Sequence, residues 1–166
     1  MKVFIVAAIT ADGFIGRTAD HLADWSSKED KKLFIKLTKE AGTMVMGSKT
    51  FATIGRALPG RKTIVYTREP RESDIVDVTF TNEPPADLVS RLTSEGHESL
   101  AICGGASIYS LFMESGVVDE LYLTVEPVVF GTGVPLFGHT LENGLTLLSA
   151  ESLNPNTVLL HYSVDK

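Results

Sequence analysis

Short apolar runs alternate with windows of helical periodicity along this chain, and the alternation restricts its fold more than any other feature. The runs at residues 2–9, 62–67 and 99–103 each end at a polar residue or a glycine and have the length of buried strands. Between them, apolar residues recur at the three- and four-residue spacing of helices. Such alternation predicts an α/β domain built on a mostly parallel sheet.

Glycine, proline and capping signals set the expected boundaries. Strands are predicted at residues 2–9, 43–47, 62–67, 78–81, 99–103, 120–129, 145–153 and 157–164, and helices at residues 26–41, 48–54, 84–94 and 106–115. We expect a polar loop at residues 10–25, a capping box of Ser26 and Glu29, and a C-terminal antiparallel hairpin around Asn154-Pro155-Asn156. The sequence thus predicts one domain over residues 1–166, with a central, mostly parallel eight-stranded sheet, an antiparallel C-terminal strand and about four flanking helices.

The charge balance excludes several classes of protein. The chain has 15 Lys and Arg against 21 Asp and Glu, a net charge of −6 and a pI near 5.2, whereas sequence-independent nucleic-acid binding needs a basic surface. No apolar stretch approaches the roughly 18 residues of a spanning helix, and Asp12-Gly13 follows the first run without a signal-peptide cleavage site. We therefore expect a cytoplasmic protein with no nucleic-acid or membrane partner. We further expect a monomer or weak homodimer that acts on a small-molecule substrate.

Cys103 is the only cysteine in the sequence, so an internal disulfide is excluded and a reducing compartment is expected. Its position within an apolar run predicts an inert core residue. The four histidines are scattered, and none lies at metal-ligand spacing from Cys103. We predict no metal site.

Asp30 is the first candidate for chemistry. On the predicted helix it shares one face with four apolar residues, Leu33, Phe34, Leu37 and Ala41. A carboxylate on an apolar face is desolvated, which raises its pKa and suits a general acid. The alternative stays open, because aspartate is also favoured in the first turn of a helix by the helix dipole.

Two further segments could bind anions. The Gly-Gly-Ala-Ser segment at 104–107 follows a buried strand and opens a helix, which presents backbone N–H groups to a phosphate. Arg56 and Arg61 flank the turn at residues 58–60, and the planar guanidinium recognises carboxylates and phosphates. Taken alone, the first segment can equally be a simple turn, and the arginines can equally be solvated.

Together these segments resemble the dihydrofolate reductase family over residues 3–163. The most specific block, residues 46–61, reads Met-Gly-Ser-Lys-Thr-Phe-Ala-Thr-Ile-Gly-Arg-Ala-Leu-Pro-Gly-Arg and is similar to the family's Met-Gly-Arg-x-Thr-Phe-x-Ser-Ile-Gly-Arg-Pro-Leu-Pro-Gly-Arg. Residues 7–16 resemble the first strand and the active-site loop, residues 104–109 the cofactor turn, and residues 121–124 the strand whose threonine supports the catalytic acid.

The resemblance implies a set of catalytic and substrate-binding residues. Asp30 lies five positions after Trp25, the family's spacing, and resembles the buried acid that binds the pterin ring and promotes its protonation. Thr124 would hydrogen-bond Asp30 and the pterin amino group, and Arg61 would bind the glutamate α-carboxylate. The implied catalytic residues are Asp30, Trp25 and Thr124. The implied substrate-binding residues are Val6, Ala7, Asp30, Phe34, Ile54, Leu58, Arg61, Cys103, Tyr109 and Thr124.

The cofactor implied by the resemblance is NADPH. The implied cofactor-binding residues are Ala8, Ile15, Gly16, Gly47, Ser48, Lys49, Thr50, Thr67, Arg68, Cys103, Gly104, Gly105, Ala106, Ser107, Ile108 and Tyr109. Thr67 and Arg68 follow a strand where the family reads the adenosine 2′-phosphate. The implied reaction is the reduction of 7,8-dihydrofolate to 5,6,7,8-tetrahydrofolate, in the cytoplasm.

Two alternative functions remain open. The Ser-Ser-Lys-Glu-Asp start of the first helix, residues 26–30, resembles the related riboflavin-pathway reductases, which reduce a ribosylamino-pyrimidine phosphate. The block ending at Arg61 argues against that reading because it resembles a folate-tail site. A non-catalytic module that binds nucleotide or pterin is the other alternative. Asp30 argues against it, since a buried acid is costly without a role.

Overall fold

Parallel strands form the centre of the sheet, and a C-terminal hairpin extends one side of it. The computed structural model describes residues 1–21 and 23–166; Leu22, within the predicted 10–25 loop, and the side chain of Ala23 lie outside the described residues. The strands are β1 (Lys2–Thr10), β2 (Phe14–Gly16), β3 (Thr43–Gly47), β4 (Lys62–Tyr66), β5 (Val78–Thr81), β6 (Ser99–Ile102), β7 (Glu120–Glu126), β8 (Val134–Pro135), β9 (Leu145–Asn154) and β10 (Thr157–Val164). The helices are α1 (Lys28–Ala41), α2 (Ser48–Ile54), α3 (Pro85–Ser94) and α4 (Ala106–Glu114), and a 3₁₀ turn spans Ala23–Trp25.

Within the described residues, eight strands form one sheet in the order β5–β4–β3–β6–β1–β7–β10–β9. β1 lies between β6 and β7 and is parallel to both. β10 runs antiparallel to β7 and to β9. The structure confirms the predicted α/β domain, with its mostly parallel sheet and its antiparallel C-terminal strand.

β1 separates two apolar cores because its side chains alternate between the faces of the sheet. Val3 and Ile5 pack with Phe112 of α4 on one face, whereas Phe4 and Val6 pack on the other, against residues of α1 and α2. All of these β1 side chains are nearly inaccessible to solvent. Helices therefore cover both faces of the central strands, as a parallel sheet requires.

The start of α1 differs from the prediction. The helix begins at Lys28, and its N-cap is Ser27, whose hydroxyl accepts a hydrogen bond from the Asp30 N–H at 3.2 Å. The predicted capping box of Ser26 and Glu29 is wrong. Ser27 and not Ser26 is the N-cap because a tertiary contact fixes it: Ser27 donates two hydrogen bonds to the carboxylate of Glu126.

The predicted 10–25 loop and the end of β7 also need correction. β2 lies inside the loop and pairs with β8 in a two-stranded ribbon. β7 ends at Glu126, whereas the prediction extended it to residue 129. The strand stops there because Pro127 has no N–H and because the Val128 N–H donates to the Glu126 carbonyl at 2.8 Å. Gly133 has a φ of +159°, and a Cβ there would lie 2.5 Å from the Gly16 carbonyl oxygen, so glycine is required where the ribbon forms.

None of the helices formed by residues 1–21 and 23–166 combines the length and the apolarity needed to cross a lipid bilayer. The same residues contain no group of three His, Cys, Asp or Glu side chains placed to hold a metal ion.

Candidate active site

A cavity of about 2140 Å³ opens near the carboxyl ends of the central parallel strands. Its wall includes Ala8 of β1, Gly47 at the end of β3, Thr67 just after β4 and Gly104 just after β6. Ligands of open α/β sheets bind at this edge of the sheet. Pockets for one drug-sized ligand usually measure roughly 300–1,000 Å³, so this cavity has room for two ligands.

The structure brings the predicted site residues together around this cavity, with Thr124 the exception. The lining residues of the predicted substrate and catalytic set are Val6, Ala7, Trp25, Asp30, Phe34, Ile54, Leu58, Arg61, Cys103 and Tyr109. The lining residues of the predicted cofactor set are Ala8, Ile15, Gly16, Gly47, Ser48, Lys49, Thr50, Thr67, Arg68 and residues 103–109. Thr124 is buried on β7, level with Ala8 of β1, and contacts Asp30 without lining the cavity. The roles of all these residues stay predictions.

The Asp30 carboxyl lies in the cavity wall, and the residue is only 8% exposed. Burial raises the pKa of Asp30 above its ordinary value, and the charge of Glu126 raises it further; hydrogen bonds from Thr124 and Ser26 and the charge of Lys31 act in the opposite direction. The Thr124 hydroxyl is buried and has no hydrogen-bond partner other than Asp30 among the described residues. Asp30 can therefore hold a proton at higher pH than an ordinary carboxyl.

Trp25 places a hydrogen-bond donor in the wall of the same cavity. Its indole Nε1 is buried and has no partner among the described residues. A buried donor without an acceptor costs free energy. Since Trp25 and Asp30 both line the cavity, an acceptor atom on a bound molecule fits this position.

Arg61 is buried rather than solvated, with 6% of the residue exposed. Its Nε donates to the Pro59 carbonyl at 3.1 Å, and its Nη1 donates to the Thr38 hydroxyl of α1 at 2.6 Å. Burial lowers the pKa of the guanidinium from its ordinary value. No acid in the described chain forms an ion pair with Arg61. A guanidinium has five N–H donors, so the side chain is fixed in place and keeps donors for an anion in the cavity.

The N-terminus of α4 forms another part of the wall. Its N-cap, Gly105, provides no side-chain cap, so the first N–H groups of the helix remain open to a ligand. Gly104 has a φ of +103°, and a Cβ there would lie 3.0 Å from the Tyr109 hydroxyl, which donates to the Val6 carbonyl at 3.0 Å. Glycine therefore lets the turn lie directly on Tyr109.

Two exposed cations extend the same region. Lys49 and Arg68 line the cavity, and neither forms an ion pair with a described acid. Open helix N–H groups and free cations are the donor set that the phosphates of a dinucleotide require. The residues present thus fit NADPH.

Three residues that shape the site were not predicted from the sequence: Asp12, Phe130 and Glu126. The Asp12 carboxylate accepts hydrogen bonds from the Thr10 hydroxyl at 2.6 Å and from the N–H groups of Phe130 and Gly131 at 3.2 and 2.7 Å. The Phe130 ring lies 5.3 Å from the Trp25 ring, centroid to centroid. Asp12-Gly13 is recognisable as a turn, but Phe130 and Gly131 lie 118 and 119 positions from Asp12, so these two contacts leave no local signal.

Comparison with known proteins gives the family. The family model described as dihydrofolate reductase matches residues 2–131. The uncharacterized protein YwjB of Bacillus subtilis (strain 168) is 30% identical over 97% of this chain and 97% of its own, and dihydrofolate reductase type 3 of Salmonella typhimurium is 33% identical over 75% of this chain and 71% of its own. The crystal structure of a putative riboflavin biosynthesis protein from Shewanella sp. PV-4 has a TM-score of 0.84 at 20% identity and full coverage of both chains, a likeness of fold. Because the family model matches most of its length, this chain belongs to the dihydrofolate reductase family.

Proposed function

We propose that this protein reduces 7,8-dihydrofolate to 5,6,7,8-tetrahydrofolate with NADPH. The observation that carries the proposal is the Asp30 carboxyl, which lies buried in the cavity wall with a raised pKa. Reduction of the dihydropterin ring needs a proton on the nitrogen beside the carbon that accepts hydride. A buried acid that retains its proton at higher pH suits that step.

The substrate side of the cavity suits a flat ring with an acidic tail. Asp30 binds the pterin ring and promotes its protonation, and Phe34, Ile54 and Leu58 supply apolar contacts to the pterin and benzoyl groups. Arg61 binds the α-carboxylate of the glutamate. Its anchoring to Thr38 and Pro59 holds the guanidinium in one orientation, which lowers the entropy lost on binding.

The cofactor side suits a dinucleotide that carries an additional phosphate. NADPH, when bound, supplies the hydride. The open N-terminus of α4 and Lys49 hold the diphosphate, and Thr67 and Arg68 hold the 2′-phosphate. Ser48 and Ser107 bring no charge to this region, so the preference for NADPH over NADH depends mainly on Arg68.

Reduction of a ribosylamino-pyrimidine phosphate, as in riboflavin synthesis, is the second candidate. Exposed cations line the substrate side at Lys31, Lys39 and Arg56, and no described acid pairs with them. A phosphate carries more negative charge than one carboxylate and uses more cations. The fold likeness to a putative riboflavin biosynthesis protein points the same way.

One assay separates the two candidates. The purified protein is mixed with NADPH and either dihydrofolate or the pyrimidine phosphate, and the absorbance of the reduced nicotinamide is followed. We expect turnover with dihydrofolate, and loss of most of it in Asp30→Asn. Turnover with the pyrimidine alone would establish the second candidate. Exposed Asp20→Asn is the matched control, since it makes the same chemical change outside the wall.

A further inference from the structure

Glu126, at the end of β7, is a carboxylate with 2% exposure that lies outside the cavity wall. Its Oε1 accepts from the Ser27 backbone N–H at 2.9 Å and from the Ser27 hydroxyl at 2.7 Å. Its Oε2 accepts from the Thr157 hydroxyl at 3.1 Å. No cation of the described chain forms an ion pair with it. The Glu126 side chain is thus buried and held by neutral donors at the N-terminus of α1, where the helix dipole favours negative charge.

Ser27 connects this carboxylate to Asp30. Because the Ser27 hydroxyl donates its hydrogen to Glu126, only its lone pairs remain for other groups. One of them accepts the Asp30 N–H at 3.2 Å, which is the N-cap bond of α1. Glu126 therefore orients the cap and, with it, the helical turn that carries Asp30.

Glu126 also acts on Asp30 through its charge. The groups that affect Asp30 are Lys31 on α1, Ser26 just before it, and Thr124 and Glu126 on β7, and the Tyr109 hydroxyl of α4 interacts with the Asp30 charge in turn. Among these groups Glu126 is the acid, and its negative charge raises the pKa of Asp30. Lys31 opposes it from an exposed position, where water screens the charge.

We propose that Glu126 is the positioning residue of this site, because through Ser27 it fixes the helical turn that carries Asp30. The charge of Glu126 acts in addition and favours the protonated form of Asp30. The inference rests on the proposed function only for its effect on turnover. Burying Glu126 costs desolvation free energy, and Glu126 does not line the cavity. The cost has a functional explanation if Glu126 helps the neighbouring Asp30 carboxyl to keep its proton.

Two variants separate position from charge. Glu126→Gln keeps the Oε1 acceptor for Ser27 and removes the charge. Ser27→Ala keeps the charge and removes the bridging hydroxyl. Glu151→Gln is the matched control, because it removes an exposed carboxylate from β9 and changes the net charge equally. The Asp30 titration is read directly by NMR of ¹³C-labelled aspartate carboxyls, with the signal assigned by Asp30→Asn.

We expect the Asp30 midpoint to fall in Glu126→Gln, because a nearby like charge is removed, and to stay unchanged in Glu151→Gln. The pH profile of dihydrofolate turnover should shift in the same direction. Ser27→Ala should lower kcat several-fold and leave the midpoint nearly constant. An unchanged midpoint in folded Glu126→Gln would overturn the charge effect. Full kcat in Ser27→Ala would overturn the positioning, whether or not the Gln variant folds.

The NMR titration keeps this inference separate from the proposed function. If wild type fails to reduce dihydrofolate but the Asp30 midpoint still moves in Glu126→Gln, the substrate assignment is wrong and the coupling between the carboxyls stands. If turnover is present and the midpoint does not move, the coupling is wrong and the activity stands.

Discussion

Phe130 packs edge-on against Trp25, with ring centroids 5.3 Å apart and ring planes inclined by 71°. On the same Phe130 ring lies the guanidinium of Arg17, 4.1 Å from the centroid. The Asp12 carboxylate binds the backbone of residues 130 and 131. The segment after β7 therefore holds the segment after β1 against the cavity.

Removing this aromatic contact should loosen the Trp25 end of the cavity. Aromatic pairs contribute roughly 0.5–1.5 kcal/mol beyond their buried area, so Phe130→Ala should raise KM several-fold with only a small loss of global stability. Trypsin should cleave after Arg17 faster than in wild type. Val129→Ala is the matched control, because Val129 is 69% exposed and next in sequence. Equal cleavage in both variants would contradict the role of the ring.

Asp30→Asn should fold and lose most of its turnover near neutral pH. The amide is nearly isosteric with the acid but cannot supply a proton to the pterin. Activity should partly return as the pH falls, because solvent then supplies the proton. Steady-state rates across pH check this, and wild-type turnover of the variant at pH 7 would exclude Asp30 from the chemistry.

The same variant should be more stable than wild type at neutral pH. The folded state binds the Asp30 proton more tightly than the unfolded chain, whose pKa is near 3.8. Stability from this proton is therefore present below pH 3.8 and is lost as the pH rises through the raised folded pKa. Urea unfolding should show Asp30→Asn gaining roughly 0.5–2 kcal/mol at pH 7, and the gain should vanish in acid. A gain that does not depend on pH would show that desolvation of the charge is not its cause.

Arg61→Ala should weaken the binding of substrates that carry the glutamate tail and leave the binding of others unchanged. Hydrogen bonds to charged groups contribute roughly 1.5–3 kcal/mol, and about 1.4 kcal/mol is tenfold, so dihydrofolate binding should weaken roughly 10- to 150-fold. A dihydropterin without the glutamate tail and NADPH should bind as before. Thr38→Val removes the Nη1 partner but keeps the guanidinium, and serves as the control for structural support. Equal losses for both pterins would make Arg61 purely structural.

Arg68→Ala should reduce the preference for NADPH over NADH. The guanidinium is exposed at the cavity rim just after β4 and is free to bind a phosphate. Arg71, whose guanidinium lies 4.5 Å from the Phe80 ring centroid, is the control cation on the same rim. Michaelis constants for both cofactors measure the change. If the ratio of the two Michaelis constants is unaltered in Arg68→Ala, other residues bind the 2′-phosphate.

The parallel sheet and the composition of the cavity wall could be predicted from the sequence, because strand runs and glycine turns are local signals. Asp30 could be predicted as a candidate acid for the same reason, since helical spacing alone places it on one face with apolar residues. The family resemblance supplied most of the other wall positions.

What could not be predicted depends on tertiary contacts. Ser26 and Ser27 are both acceptable caps, and only Glu126, 99 positions from Ser27, decides between them. Thr38, the partner of Arg61, lies 23 positions away on another element. β2 and β8 have three and two residues, which is too short for periodicity to show.

Cys103 gives the cavity a built-in reporter. It is the sequence's only cysteine, it lines the cavity, and it is partly exposed. Desolvation raises the pKa of its thiol, so a maleimide or fluorinated label attaches slowly and at one position. The rate of that attachment measures how open the cavity is, which makes ligand occupancy visible without any turnover assay.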